Sequence, residues 1–210
     1  MNANNITVNK HSSMRIEGSH ILYFDPFSID EESHDADIIF ITHDHFDHFQ
    51  PESIKKIINE KTQIVLPQSM EKVSKKLKLD NNIVFMNVRQ IKEIRHLEVE
   101  TIAAYNKRKP FHPKKAGFVG YIVTMDNIRY YVAGDTDFTD ELKDVRCDIA
   151  MVPIGGMYTM DAKEAAKLVN KIGPKIAVPV HYGEVAGKME DADVFEENCS
   201  KSIEVARKIQ

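Results

Sequence analysis

The segment "ADIIFIT", residues 36–42, places four large apolar residues in a row, Ile38 to Ile41, with no polar alternation. A strand with one wet face would alternate, so this β-branched run predicts a strand buried on both faces. Immediately after it comes "THDHFDH", residues 42–48, which packs three histidines and two aspartates into the six positions 43–48. Imidazole and carboxylate are the ligands that divalent transition metals accept. A buried strand that ends in such a cluster constrains both the scaffold and its use.

The rest of the chain supplies what this strand needs. "SMRIEG" and "HILYFDPF" read as strands with a turn near Gly18-Ser19. "PESIKKIINE" reads as a helix with Pro51 in its first turn and apolar Ile54, Ile57 and Ile58. "QIVLP" is a strand, and "SMEKVSKKLKL" a helix capped by Ser69. "NIVFMN", "IKEIRH", "LEVETIAAY", "FVGYIVTMD" and "IRYYVAGDT" follow as strands, the last two joined by a tight turn at Asp126-Asn127. "CDIAMVPIGG" is a further buried strand. "DAKEAAKLVNKIG" is an amphipathic helix with Asp161 as N-cap, Glu164 at the capping-box position and Gly173-Pro174 at its end. "KIAVPVHYG" is a last strand, and the tail over 191–209 is expected to be helical. Strand clusters followed by alternating strands and helices predict two mixed sheets covered by helices, in one domain over residues 1–210.

Charge narrows the function. The 28 lysines and arginines stand against 32 aspartates and glutamates, which argues against a nucleic-acid binder driven by bulk charge. A local basic run remains in "YNKRKPFHPKK", residues 105–115. Two cysteines, Cys147 and Cys199, make neither a disulfide framework nor a cysteine-rich zinc site, and fit reduced thiols in a cytoplasm. The polar start "MNANNITVNK" has no signal-peptide core, and no apolar run is long enough for a membrane span. A cytoplasmic location is therefore expected.

Several acidic and histidine residues lie at the ends of predicted buried strands, where an α/β scaffold presents its ligand site. His43, His45, Asp47 and His48 follow "DIIFIT", Asp135 follows "YYVAG", and His181 follows "IAVPV". In an extended loop alternate residues point to one side. His43 and His45 can then grip one ion while Asp47 and His48 turn towards another, and an aspartate from a separate strand can bridge the two. His11, His20, His34 and His96 have no such company and read as solvated or capping residues.

"THDHFDH" resembles the T-H-x-H-x-D-H signature of the metallo-β-lactamase superfamily, "AGDTD" its later strand-end aspartate and "PVHYG" its last histidine. The stretches "AAYN", "FHPKKAGFVGYIV" and "MVPIGGMYTMDAKEAA" resemble the branch of metal-dependent hydrolases related to ascorbate-6-phosphate lactonase and to the phospholipase D that cleaves N-acyl phosphatidylethanolamine. The resemblance implies a four-layer αββα sandwich of α/β class and two divalent ions per chain, zinc or manganese first, with iron or nickel as alternatives. It assigns His43 and His45 to the first metal, Asp47 and His48 to the second, Asp135 as the bridge and His181 to the second ion. A metal-activated hydroxide would attack an ester, lactone or phosphoester, with Asp47 orienting it or moving its proton.

The usual third histidine of the first metal falls near Tyr105-Asn106, where none stands. His112 lies six residues further on, and is assigned to substrate contact or to that missing ligand, with the substrate role preferred. Tyr158 in "GGMYTM" and Lys109 in the basic run are further substrate candidates. Asp25, in "YFDPF", is a candidate to hold a metal-binding histidine from behind, or else caps the turn before Pro26. Asp44 is expected to face solvent. A small-molecule substrate is favoured. A phosphodiesterase or nuclease, supported by Lys107, Arg108, Lys109, Lys114 and Lys115, is the competing reading. A non-enzymatic metal sensor, which an incomplete first site would favour, is the third. A homo-oligomer is left open.

Overall fold

In the computed structural model, which describes residues 2–78 and 82–209, the apolar run lies inside a six-stranded sheet. Its strands are β1 (Ile6–Lys10), β2 (Ser13–Glu17), β3 (Ile21–Phe24), β4 (Ile38–Phe40), β5 (Gln63–Pro67) and β6 (Ile83–Met86), side by side in chain order. The first three pair antiparallel, and β3 to β6 run parallel. Helix α1 (Pro51–Ile57) connects β4 to β5, and the short α2 (Glu71–Ser74) follows β5.

The second sheet has seven strands. They are β7 (Ile91–Ile94), β8 (Leu97–Ala103), β9 (Val119–Met125), β10 (Ile128–Val132), β11 (Ile149–Pro153), β12 (Ile176–Val180) and β13 (Glu204–Val205), again adjacent in chain order. The hairpins β7–β8–β9–β10 are antiparallel, and β10 to β13 are parallel. Helix α3 (Ala162–Ile172) connects β11 to β12, and α4 (Asp191–Asn198) lies between β12 and β13. Asp126 and Asn127 close the β9–β10 hairpin with φ of 52° and 62°, the double left-handed geometry of the tight turn that the sequence predicts.

Alternation along each inner strand fills both of its faces. In β4, Ile38 and Phe40 join the core shared with Val119, Tyr121 and Val123 of the other sheet, while Ile39 and, just past the strand, Ile41 pack with Ile54 and Ile57 of α1. In β11, Ile149 and Met151 face the shared core, while Ala150 and Val152 meet Leu168 and Val169 of α3. Period-two side chains on strands buried on both sides thus give helix, sheet, sheet, helix: the four-layer α/β sandwich.

Three expectations need correction. The tail is helical only over α4, and the chain then turns and adds β13 to the sheet edge, pairing Glu204 with Ile176. The helix expected over 69–79 is broken into a 3₁₀ turn, four α-helical residues and another 3₁₀ turn, and its last residue lies outside the described residues. Ser69 caps nothing there, and its hydroxyl points to the Gly117 carbonyl instead. The start, which the sequence reads only as polar and without a signal-peptide core, adds a strand not foreseen there: β1, whose Ile6 and Val8 are buried while Thr7 and Asn9 are exposed. Asp161 does cap α3 by accepting from the Glu164 N–H at 2.7 Å, but the Glu164 carboxylate takes the Phe138 N–H rather than returning to its cap. No helix among the described residues is long and apolar enough to cross a membrane.

Candidate metal centre

One edge of the sandwich gathers the ends of strands from both sheets. β10 and β12 run the same way, so Asp135 and His181 emerge beyond them at the same edge. Two backbone hydrogen bonds tie the sheets together there: Val119 N–H donates to Thr42 O at 3.2 Å, and His181 N–H donates to His11 O at 3.0 Å. The loop after β4 is not extended throughout. The His48 and Phe49 N–H groups both donate to the His45 carbonyl, at 3.0 and 2.8 Å, and this turn swings Asp47 and His48 away from His45. Asp44 is exposed, and His43, Asp47 and His48 are buried.

Six of the nine histidines converge on this edge. His43, His45 and His112 bring a ring nitrogen each within 4.8 Å of the others, and His11, Asp47, His48 and His181 form a second such group. Asp135 stands between them. Its Oδ2 is 3.1 Å from His181 Nε2, 3.4 Å from His112 Nε2 and 3.9 Å from His43 Nε2, and its Oδ1 is 3.3 Å from His48 Nε2.

Three of the imidazoles are oriented from behind. His48 Nδ1 donates to Asp25 Oδ2 at 2.7 Å, and the same carboxylate accepts from the Thr42 N–H and hydroxyl, both at 2.7 Å. Asp25 therefore sits where the sequence offers it, behind a histidine of the cluster, at φ 46° in the chain's turn. Thr42 Oγ1 also lies 2.9 Å from His43 Nδ1. Asn106, at the place where the expected third histidine is missing, accepts at Oδ1 from His112 Nδ1 at 3.0 Å and from the His112 N–H at 3.2 Å. Its amide nitrogen donates to Asp137 and to the Tyr158 carbonyl. His112 Nε2 is thereby aimed at His45 Nδ1, 3.1 Å away.

His11 is the residue that the sequence misassigns. It is 2% exposed rather than solvated, its ring lies 3.7 Å from that of His181, and its Nε2 is 3.2 Å from Asp47 Oδ2. It caps no helix; it stands at φ 55° between β1 and β2. The available signal is weak: one histidine between two short strands, far in sequence from the cluster. His20 is half-buried, and His34 and His96 are exposed, away from the centre.

Burial and mutual charge set the protonation states. Burial pushes His43 well below the ordinary imidazole range, and His112 down to about 4. Burial also lowers His11. Burial acts the same way on His48, but Asp135 and Asp25 outweigh it and raise His48 to about 9. Burial would raise Asp47, yet the His11 contact and the His48 charge hold it at about 2. Asp135 is likewise held well below the carboxylate range, against burial, by His181 and His48.

The polar atoms facing the middle are unspent. His11 Nδ1 and Nε2, His43 Nε2, His48 Nε2, His181 Nδ1 and Nε2, and Asp135 Oδ1 are all buried without a well-directed hydrogen-bond partner. Leaving this many polar groups dry would cost several kcal/mol. A nitrogen and oxygen donor set with no thiolate fits divalent zinc, manganese, iron or nickel.

The substrate candidates fare differently. Tyr158 and His112 line a cavity beside the centre. Lys109 donates to Asp137 Oδ1 at 2.7 Å and to the Thr159 carbonyl, and Lys114 pairs with Glu141.

Similarity to known proteins follows the same outline. A family model described as a beta-lactamase superfamily domain matches residues 5–181. A UPF0173 protein of Pyrococcus abyssi is 32% identical over 83% of this chain and 80% of its own. A UPF0173 metal-dependent hydrolase of Pyrococcus horikoshii is 28% identical over 93% of this chain and 92% of its own. Among solved structures, a presumptive metal-dependent hydrolase from Parabacteroides distasonis superposes with TM-score 0.80 at 31% identity, covering 98% of this chain and 93% of that one.

Proposed function

This chain belongs to the beta-lactamase superfamily, and from that premise we propose that it is a metal-dependent hydrolase holding two divalent transition-metal ions at the clustered strand ends. His43, His45 and His112 would hold the first ion. Asp47, His48 and His181 would hold the second, and Asp135 would bridge. The observation that carries this reading is the set of buried, unpartnered ligand atoms on both sides of Asp135.

When bound, the ions would supply Lewis acidity, bringing a water's pKa towards about 7 and polarising the substrate oxygen. The protein's own part is positioning and proton handling. Asp25, Thr42 and Asn106 fix the rings that would face the ions. Asp47 is ionised at neutral pH and 6% exposed, so its carboxylate can accept a hydrogen bond from a nucleophilic water and orient it. The water oxygen bonds to the acyl carbon, the acyl–oxygen bond breaks, and the proton that the water gives up ends on the departing alkoxide.

The favoured substrate is a small ester, lactone or phosphoester. The nuclease reading loses support because Lys109 and Lys114 of its basic run are engaged by Asp137 and Glu141. The sensor reading loses support because His112 stands with His43 and His45 as a third nitrogen. Elemental analysis, with turnover of lactone, ester and phosphodiester panels before and after chelation, tests the proposal. We expect one to two ions per chain, and hydrolysis that chelation abolishes and zinc or manganese restores. Failure to retain metal, or a metal-loaded chain inert on every class, would overturn it.

A further inference from the structure

Two phenylalanines are left in water beside the most polar spot of the molecule. Phe46, between His45 and Asp47, is 67% exposed, and Phe111, next to His112, is 43% exposed. Neither is needed for the core. Phe111 stands edge-on to Tyr158 with ring centroids 4.7 Å apart, and Phe46 stands edge-on to Phe27 at 6.1 Å. Together with Tyr158 and Val185 they wall a cavity of about 330 Å³ whose floor is His45, Asp47, His112 and Asp135. That volume lies at the small end of ligand pockets, roughly 300–1,000 Å³.

No lysine or arginine is among the residues lining this cavity. A charged tail entering it would lose its hydration for no partner, whereas an apolar one would cover rings that otherwise face water. Resting on the metal-dependent hydrolase reading, we propose that the pocket selects a neutral carbonyl substrate, an ester or lactone, that carries a compact apolar group. An aryl ring suits it best, because Phe111 and Tyr158 already present the edge-to-face geometry that a third ring would extend.

Hydroxamates test the pocket apart from turnover, since acetohydroxamate and benzohydroxamate share one metal-binding head and differ in the group beyond it. On the metal-loaded protein we expect benzohydroxamate to bind at least about tenfold more tightly, in line with the discrimination an apolar pocket supplies. In Phe111→Ala and Phe46→Ala that affinity ratio should fall about fivefold. Ile91→Ala, an equally exposed apolar site elsewhere on the surface, should leave the ratio unchanged. Kinetics should follow, with kcat/KM for a phenyl-substituted lactone above that for the unsubstituted ring. Equal affinities in the natural chain, an unchanged ratio in both phenylalanine variants, or a preference for a phosphodiester would each overturn the proposal. A chain that shows the aryl preference in binding but hydrolyses nothing would sink the hydrolase reading alone. Metal-dependent turnover indifferent to the aryl group would sink this inference alone.

Discussion

His48 donates from Nδ1 to Asp25 Oδ2 across 2.7 Å, with neither residue more than 1% exposed, so its Nε2 faces Asp135 and Asp47 and is the nitrogen that a metal would take once its proton leaves. This fixes the tautomer of one proposed ligand and raises its basicity. Asp25→Asn keeps the shape but loses the charge and one acceptor. Affinity for the second ion should drop about 10–100-fold, read by competition with a chelator. Unchanged affinity would reduce Asp25 to the turn-capping role that the sequence equally allows.

His11 carries a sharper expectation. Its two ring nitrogens are buried without a well-directed partner, and its Nε2 shares a group with Asp47, His48 and His181. His11→Asn should weaken the second ion at least about tenfold while sparing the first, whether the ring ligates directly or steadies Asp47. His96→Asn, with a side chain 94% exposed, should weaken neither. Identical metal content and affinity in the two variants would remove His11 from the centre.

What the sequence reveals and hides divides by range. β4 is legible because burial on both faces leaves no polar alternation, and His43 to His48 are legible because they are adjacent. Asp135 and His181 are legible as strand-end residues, since strand direction carries them to a common edge. His11 is not, because its place depends on β1 pairing with β2 and on its carbonyl taking the His181 N–H, 170 positions away. The basic run is visible as charge, but the pairing of its Lys109 with Asp137 and of its Lys114 with Glu141 is non-local. His112 stands six residues beyond the expected ligand position because β8 ends at Ala103 and the loop after it folds back, with Asn106 N–H donating to His112 O at 2.8 Å. The strand in the tail is hidden because β13 is only Glu204 and Val205, too short to set up a period distinct from a helix.

Protonation offers a test through linkage. His48 is raised from an ordinary 6.5 to about 9, so in the metal-free chain it carries a proton at pH 7.5. That charge stabilises the metal-free fold fully below pH 6.5, and the contribution is lost as pH rises through about 9. Metal on Nε2 must expel the proton, so metal affinity moves oppositely and rises with pH over the same range. Calorimetry in buffers of different ionisation enthalpy should show about one more proton released on metal uptake by the natural chain than by His48→Gln at pH 7.5. Equal release would mean that His48 is neutral before metal arrives.

Gly155 gives the last expectation, because it separates space from backbone conformation. A methyl group on its Cα would fall 2.3 Å from the His181 carbonyl oxygen and 3.2 Å from His181 Nδ1. Backbone cannot yield as a flexible side chain can, so Gly155→Ala must move β11's end away from β12's, taking His181 with it. Gly173, the residue after α3, has φ +63°, and a methyl group on its Cα would meet nothing within 4 Å. Gly173→Ala therefore meets only the left-handed penalty, about 1–2 kcal/mol, far from the centre. Thermal unfolding should find both variants less stable. Metal titration should find the second ion weakened in Gly155→Ala and retained in Gly173→Ala. If Gly155→Ala folds and binds both ions as tightly as the natural chain, the close packing of Gly155 on His181 does not hold that ligand in place.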